Sequence, residues 1–290
     1  ISVTTYNSSK YVIETLESIK AQSYPNLNLQ ISDDCSTDNT IEVCKKWIEE
    51  NKARFVKTKI IVPEHNTGVS GNCNRAWDAC ETKYYKGIAG DDMLAPNCIR
   101  DNMNYVELHP EAIFVFSKVK TFGADIERIN KLFDYSAFGL TIEEQLERMI
   151  HARNFIPAST AFVNLEKVNE LKLRHDERIP NLEDMPKWVN ALKLGVHFHF
   201  MDIVTVNYRV HQKSLSTSTM LSPSYMKQLE LFWYYYTFAD LYRNDSKKAV
   251  ESAVDRNIKL YATKYEILTS RRFMLFVRII NILKKCRIIH

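Results

Sequence analysis

Three acidic pairs stand where carboxylates can do chemistry: Asp33-Asp34 in ISDDCSTDNT, Asp91-Asp92 in IAGDDM and Glu183-Asp184 in NLEDMPKW. The first two each follow a short apolar run that reads as a strand, 27–32 and 84–89. The third opens an amphipathic stretch that ends at Gly195. Open α/β sheets bind their ligands at the carboxyl edge, where acidic groups at strand ends lie. A carboxylate cannot bind a phosphate directly, so a nucleotide ligand implies a divalent cation between the two. The chemistry indicated is that of a metal-dependent enzyme acting on a nucleotide-activated substrate.

The elements that position these pairs follow from periodicity. Residues 1–6 alternate as a strand, as do Leu27, Leu29 and Ile31, and 56–62, 84–89 and 112–119 supply three more strands. Between them, Val12, Leu16 and Ile19 repeat at helical spacing, followed by Ile41, Cys44, Trp47 and Ile48, then by Cys73, Ala76, Trp77 and Cys80. Asn7-Ser8-Ser9 and Ser36-Thr37-Asp38 offer capping side chains to the first two helices. Pro96 suits the first turn of another helix. Strands alternating with helices predict a mainly parallel sheet covered on both faces.

After about residue 120 the alternation breaks. Residues 141–152 and 183–194 read as helices, the latter stopped by Gly195, and 158–163 and 197–209 read as strands. Residues 223–243 and 247–270 read as two long aromatic-rich helices, an appendage in which Phe232, Trp233, Tyr235 and Tyr236 read as packing.

Composition bounds the remaining possibilities. The 290 residues are 45% apolar and 26% charged, with 7 Gly and 8 Pro, so no low-complexity linker or disordered tail is expected. The six cysteines show no CxxC pair and no zinc spacing; they read as free thiols in a reducing compartment. No run reaches the roughly 20 apolar residues of a membrane span, and no signal peptide is visible. The chain opens on strand-like Ile1-Ser2-Val3 without a Met, from which a trimmed start is expected. Net charge is +4, concentrated at one end. After Glu266 no acidic residue occurs, while Arg271, Arg272, Arg278, Lys284, Lys285 and Arg287 alternate with apolar side chains. A basic amphipathic helix of this kind suits an anionic membrane surface. Nucleic acid is not expected, because the basic residues lack interleaved stacking aromatics on a sheet.

Taken together, the segments ISVTTYNSSKYVIETLESIKAQSY, ISDDCSTDNT, HNTGVSGNCNRAWD, IAGDDM, PNLEDMPKWVNALKLG and YRVHQKS resemble the family 2 glycosyltransferases. These are inverting enzymes of the GT-A fold that build bacterial surface polysaccharides. The resemblance runs from Ile1 to about Ser216 and implies a GT-A (Rossmann-like), mainly parallel α/β sheet flanked by helices. It implies a catalytic domain over 1–216, with a nucleotide-sugar half of about 1–120 and an acceptor half of about 121–216. Residues 217–290 form the C-terminal helical extension with the basic tail.

By the same resemblance, Thr5 and Tyr6 lie against the nucleotide base and ribose, and one of Asp33 and Asp34 accepts hydrogen bonds from them. The other of that pair is expected to start an Asx turn or cap the next helix. Asn66, Gly68 and Asn72 line the donor pocket, and Arg75 serves either a phosphate or an outward salt bridge. Asp91, with Asp92 second, is implied as the ligand of Mg²⁺ or Mn²⁺. The family usually writes Asp-x-Asp-Asp here; Ala89 replaces the first aspartate, which puts ribose contacts in doubt. Asp184, beside Glu183, fits the general base that deprotonates the acceptor hydroxyl. Trp188 packs under the acceptor or fills the core. Arg209 or Lys213 is implied at the diphosphate and His211 at the metal. His197 and His199 look like a metal pair, but without a third ligand at suitable spacing they read as core or supporting residues.

The resulting expectation is an inverting, metal-assisted transfer from a nucleotide sugar, a UDP-sugar first, to a saccharide or lipid-linked saccharide. Its place is cytoplasmic, peripheral on the inner face of the membrane. A nucleotidyltransferase of related fold would need a glycine-rich basic loop near the first strand, which TTYNSSKYV does not supply. A non-catalytic nucleotide-sugar-binding protein with a degenerate site is the third reading.

Overall fold

The computed structural model describes residues 1–123, 126–130, 133–151, 154–211 and 223–238. The chain divides into two compact units, Ile1–Gln212 and Lys213–His290. In the first, eight strands form one sheet: β1 (Ser2–Thr5), β2 (Asn28–Asp33), β3 (Lys57–Ile61), β4 (Tyr84–Ala89), β5 (Met93–Leu94), β6 (Phe114–Gly123), β7 (Phe162–Asn164) and β8 (Phe198–Val210). Their order across the sheet is β3-β2-β1-β4-β7-β6-β8-β5. Strands β1, β2, β3 and β4 pair in parallel, and β6 pairs in parallel with β8. The reversed β7 bridges β4 and β6, so those two also point the same way; β5 is the other reversed strand. The carboxyl ends of β1, β2, β4 and β8 therefore share one edge.

The helices that follow the strands bury the faces their periodicity marks. Helix α1 (Val12–Lys20) buries Val12, Leu16 and Ile19, and α2 (Thr40–Asn51) buries Cys44 and Trp47. These side chains pack with Val3, Leu29, Ile31 and Ile88 of the sheet in one core. Each buried side chain of this size contributes about 1.5–3 kcal/mol. Helix α3 (Gly68–Asp78) begins five residues before the expected Cys73, and Cys80 falls beyond its end. Helix α4 (Cys98–Leu108) starts just after Pro96, with Asn97 at its cap. The second half adds α5 (Ile126–Asn130), α6 (Ile142–Ile150), α7 (Leu165–Glu170) and α8 (Asp184–Lys193). At α6 the Thr141 hydroxyl and Glu144 carboxylate form a reciprocal capping box. Gly195, at φ +76°, ends the α8 segment as expected.

Three local expectations are corrected. Asn7, Ser8 and Ser9 do not cap α1 through their side chains, because Asn7 takes φ +51° and turns its amide across to the loop after β2. The cap residue of α2 is Asn39; Asp38 instead accepts from the Thr40 backbone N–H and from Ser9 N–H. Ala158–Thr160 is a 3₁₀ turn, and β7 begins only at Phe162, since the Thr160 hydroxyl and N–H both bond back to Pro157.

In the second unit, the helix Pro223–Phe232 continues as a π-helical turn, Trp233–Phe238. The rings of Phe232 and Tyr236 are buried and stack at 5.2 Å. Residues 239–243, the expected helix over 247–270, the basic run 271–287, Lys213 and Cys286 lie outside the described residues.

Candidate active site

At the carboxyl edge, β1 and β2 end in register, Thr5 opposite Asp33. The Asp33 carboxylate accepts from the Thr5 hydroxyl at 2.7 Å, the Ser36 hydroxyl at 2.6 Å and the Ser36 N–H at 2.7 Å. The loop after β1 is tied to the same turn, where the Asn7 side-chain oxygen accepts from Thr37 N–H at 2.8 Å. Asp34 accepts from Thr67 N–H and hydroxyl, from Gly68 N–H at 2.8 Å and from the Arg75 guanidinium at 2.8 Å. One of the two aspartates was expected to serve the loops; the structure engages both, 1% and 2% exposed. Tyr6, at 51% exposure, faces outward.

Asn66 donates to the Asp34 carbonyl at 3.1 Å. Asn72 is buried, accepts from the Ser32 hydroxyl at 2.6 Å and donates to the Thr5 carbonyl at 3.3 Å. Both amides thus hold the strand ends. Gly68 takes φ +80°, and a Cβ there would stand 2.7 Å from Pro180 Cβ. Ser70 donates through its hydroxyl to Ile179 O and through its N–H to Pro180 O. The start of α3 is thereby docked on the segment that leads into Glu183 and Asp184.

The third strand end carries the second acidic pair, Asp91 and Asp92. Gly90 passes close over β1: a Cβ would meet Thr5 Cγ2 at 2.8 Å. Ala89, at the position of the missing aspartate, is exposed. Strand β5 then pairs Met93 with Asn207 of β8, which brings Asp91 and Asp92 beside the end of β8. His211 Nε2 lies 3.1 Å from Asp91 Oδ2, and both side chains are partly open, 21% and 30%. Asp92 is buried and accepts the Arg209 N–H at 2.8 Å. Burial, then the Asp91 charge, hold its carboxyl well above the usual range. Asp91 is therefore the more accessible of the pair. A carboxylate and an imidazole that meet with both side chains partly open to solvent are a ligand pair that suits a divalent cation.

Arg209 is engaged within the protein. It donates to Asp91 O and to the Glu14 carboxylate, both at 2.8 Å, and its guanidinium lies 4.5 Å from the rings of Tyr11 and of Phe122. Tyr11 also meets the His211 ring at 5.1 Å. Sequence reasoning missed Tyr11 and Glu14, whose helical spacing marks α1 without showing what its outer face touches.

Asp184 opens α8, accepts from the Asn154 amide at 2.7 Å and from Met185 N–H at 2.7 Å, and remains partly exposed, as does Glu183. Burial pushes Glu183 up to about 7, with the Asp184 charge adding to the rise. Burial also raises Asp184, opposed by Met185 N–H, Lys187 and Asn154. Lys187, one turn on, is buried with its ammonium 4.1 Å from the Trp188 ring and 3.4 Å from His175 Nε2. Burial lowers its pKa to about 8. Trp188 fills the core against Phe114, Phe116 and Phe198, which resolves the two roles left open for it. Of the two histidines at the start of β8, His197 is exposed and His199 partly buried, while Phe198 between them takes the inward position.

A sheet whose parallel strands end in acidic loops at one edge, with a reversed strand carrying the chain on to a second half, is the GT-A arrangement of nucleotide-sugar transferases. Residues 1–164 match the family model described as Glycosyl transferase family 2, and the chain belongs to that family of glycosyltransferase enzymes. Over 219 residues it is 25% identical to WfaP of Escherichia coli, spanning 75% of this chain and 79% of that protein. WfaP is named UDP-Glc:alpha-D-GlcNAc-diphosphoundecaprenol beta-1,3-glucosyltransferase. The crystal structure of Staphylococcus aureus TarS 1–349 in complex with UDP-GlcNAc superposes with a TM-score of 0.63 at 20% identity. That match covers 80% of this chain and 64% of the TarS chain, just under two thirds. The mannosyltransferase PcManGT of Pyrobaculum calidifontis, in complex with GDP-Man and Mn²⁺, superposes at 0.58 and 16% identity, covering 83% of this chain and 63% of that one.

Proposed function

We propose that this glycosyltransferase moves a sugar from a UDP-sugar to a hydroxyl of a saccharide or lipid-linked saccharide during assembly of a bacterial surface polysaccharide, by one displacement with inversion. The observation that carries the reading is the meeting of Asp91 and His211 at 3.1 Å on the carboxyl edge of the sheet. Those two residues would hold Mg²⁺ or Mn²⁺, whose charge offsets that of the departing diphosphate. Thr5 and the exposed Tyr6 face the nucleoside. Asp33, Asp34, Asn66, Gly68 and Asn72 serve the donor by holding the loops around it, as their hydrogen bonds indicate. Arg209 positions the Asp91 backbone and Asp92.

Asp184 takes the proton from the acceptor hydroxyl as that oxygen attacks the anomeric carbon from the face opposite the diphosphate, a contribution of about 10²–10⁴-fold. Asn154 orients the carboxylate and Glu183 shapes its charge. Association with the inner membrane face rests on the basic, apolar run 271–287 and is tested by sedimentation with anionic liposomes of the full chain and of a chain ending at residue 270. No described helix is long and apolar enough to cross a membrane.

The donor reading is tested by calorimetric titration with UDP, in Mn²⁺ and then in EDTA. Binding that requires the metal and that Asp91→Ala removes supports it; absence of binding to UDP in either buffer contradicts it.

A further inference from the structure

We infer that the chain carries a second metal site, built by His109, Glu111 and His199 for a borderline dication such as Zn²⁺. Among the described residues, the ligand atoms of these three side chains all lie within 4.8 Å of one another. Sequence spacing hid the group, because 88 residues separate Glu111 from His199 and the β6–β8 pairing brings them together. The site lies where β6 and β8 begin, and His211 follows the far end of β8. It therefore occupies the sheet edge opposite the Asp91–His211 pair and is independent of the proposed glycosyl transfer.

All three positions are fixed by backbone structure. His109 caps the end of α4, its N–H donating to Tyr105 O, and its own carbonyl accepts from Ala112 N–H to close the turn carrying Glu111. His199 is the second residue of β8, in register with Val115. His109 Nδ1 stands 3.4 Å from Glu111 Oε1, and His199 Nε2 stands 3.9 Å from the same oxygen. Zinc–ligand bonds of about 2.0–2.2 Å at tetrahedral angles place ligand atoms roughly 3.3 Å apart. The first separation already matches, and a small rotation of the exposed Glu111 side chain closes the second.

Outer partners are in place as well. The Tyr105 hydroxyl lies 3.3 Å from His199 Nδ1, which leaves Nε2 turned toward Glu111. An outer contact of this kind fixes ring orientation in metal-bound histidines. The same tyrosine ring stacks on His109 at 4.4 Å, so one side chain orients both imidazoles. His197, exposed and with its ring 4.9 Å from that of His199, borders the group, and water would complete the coordination. Lys167 is the neighbouring cation, and its ammonium donates to Pro110 O at 2.9 Å, on the backbone of the same turn. Two imidazoles and one carboxylate select zinc-like ions over Mg²⁺, which prefers oxygen ligands and retained water.

The test is a calorimetric titration of the EDTA-treated, dialysed full chain with ZnCl₂, beside Glu111→Gln, His199→Ala and His211→Ala. The expected result is a site with a Kd of about 1 μM or tighter that survives in His211→Ala and weakens at least about tenfold in the other two. Zinc raises the unfolding midpoint of the parent by mass action and fails to raise theirs. Equal metal-free unfolding midpoints show that those two variants fold, and their metal-dependent UDP binding stays at the parent level. Zinc binding that persists in both, or parent binding weaker than about 100 μM, overturns the site. Mg²⁺ competing at equal concentration overturns the choice of metal.

Discussion

His211 Nε2 lies 3.1 Å from the Asp91 carboxylate across a separation of 120 residues. The two meet because the short β5 runs antiparallel to β8, placing Met93 opposite Asn207 and so the residues before β5 beside those after β8. Arg209 locks the junction, its N–H on Asp92 and its Nε on the Asp91 carbonyl. A cation held there would sit between the loop that follows β4 and the residues that follow β8.

If that pair holds the cation, either partner is required for tight donor binding. His211→Ala is expected to weaken Mn²⁺-dependent UDP binding by about tenfold or more, roughly 1.4 kcal/mol, without changing binding in EDTA. Calorimetry reads this directly; equal affinity of parent and variant in Mn²⁺ would remove His211 from the metal.

Arg209 is a positioning residue whose shape matters as much as its charge. Its planar guanidinium meets Tyr11 and Phe122 while its two donors reach Glu14 and Asp91 O. An ammonium cannot reproduce that fork, so Arg209→Lys is expected to cost about 1–3 kcal/mol in urea unfolding. A change below about 0.5 kcal/mol, the usual range of surface substitutions, would show the cluster to be loosely held.

Gly68 sits where φ +80° and the approach of Pro180 both exclude a side chain. Gly68→Ala is expected to destabilise by about 1–3 kcal/mol and to lower turnover, since Pro180 leads into Asp184. Unfolding and initial-rate measurements on the same preparation check both effects, and an unaltered rate would uncouple α3 from the base.

The legible part of this protein was the part governed by local periodicity. Alternating apolar residues marked β1 and β2, and a short apolar run marked β4, and with them the strand ends near Thr5, Asp33 and Ala89. Strand β5 was not legible, because two residues carry no period, yet it brings Asp91 to His211. Asn7 looked like a helix cap because its side chain suits one; its φ of +51°, which local sequence does not announce, turned it to Thr37 instead. The partners of Arg209 and His199 come from other elements, so composition and spacing could name the residues without saying what they touch.

The acidic pair on α8 gives two pH dependences. Lys187 pulls the carboxyl pKa values of Glu183 and Asp184 down, so Lys187→Met is expected to move the acid limb of kcat to higher pH. An unmoved limb would show that Lys187 does not tune the base. Glu183 is held at about 7 in the folded chain, against the ordinary glutamate value of 4.5. A carboxyl raised on folding contributes stability in full below its unfolded pKa and loses it as pH rises through its folded one. Glu183→Gln is therefore expected to be near neutral at pH 4 and stabilising at pH 8 in urea unfolding; the same change at both pH values would contradict the shift.

Asp184 as the general base is the centre of the proposed transfer. Its most direct test is turnover of Asp184→Asn with a UDP-sugar and saccharide acceptor, measured beside UDP affinity. The expected result is a fall in kcat of about 10²–10⁴-fold with UDP affinity unchanged, because the amide keeps the shape and loses the proton acceptor. Turnover within a few-fold of the parent would contradict the assignment and place the base elsewhere.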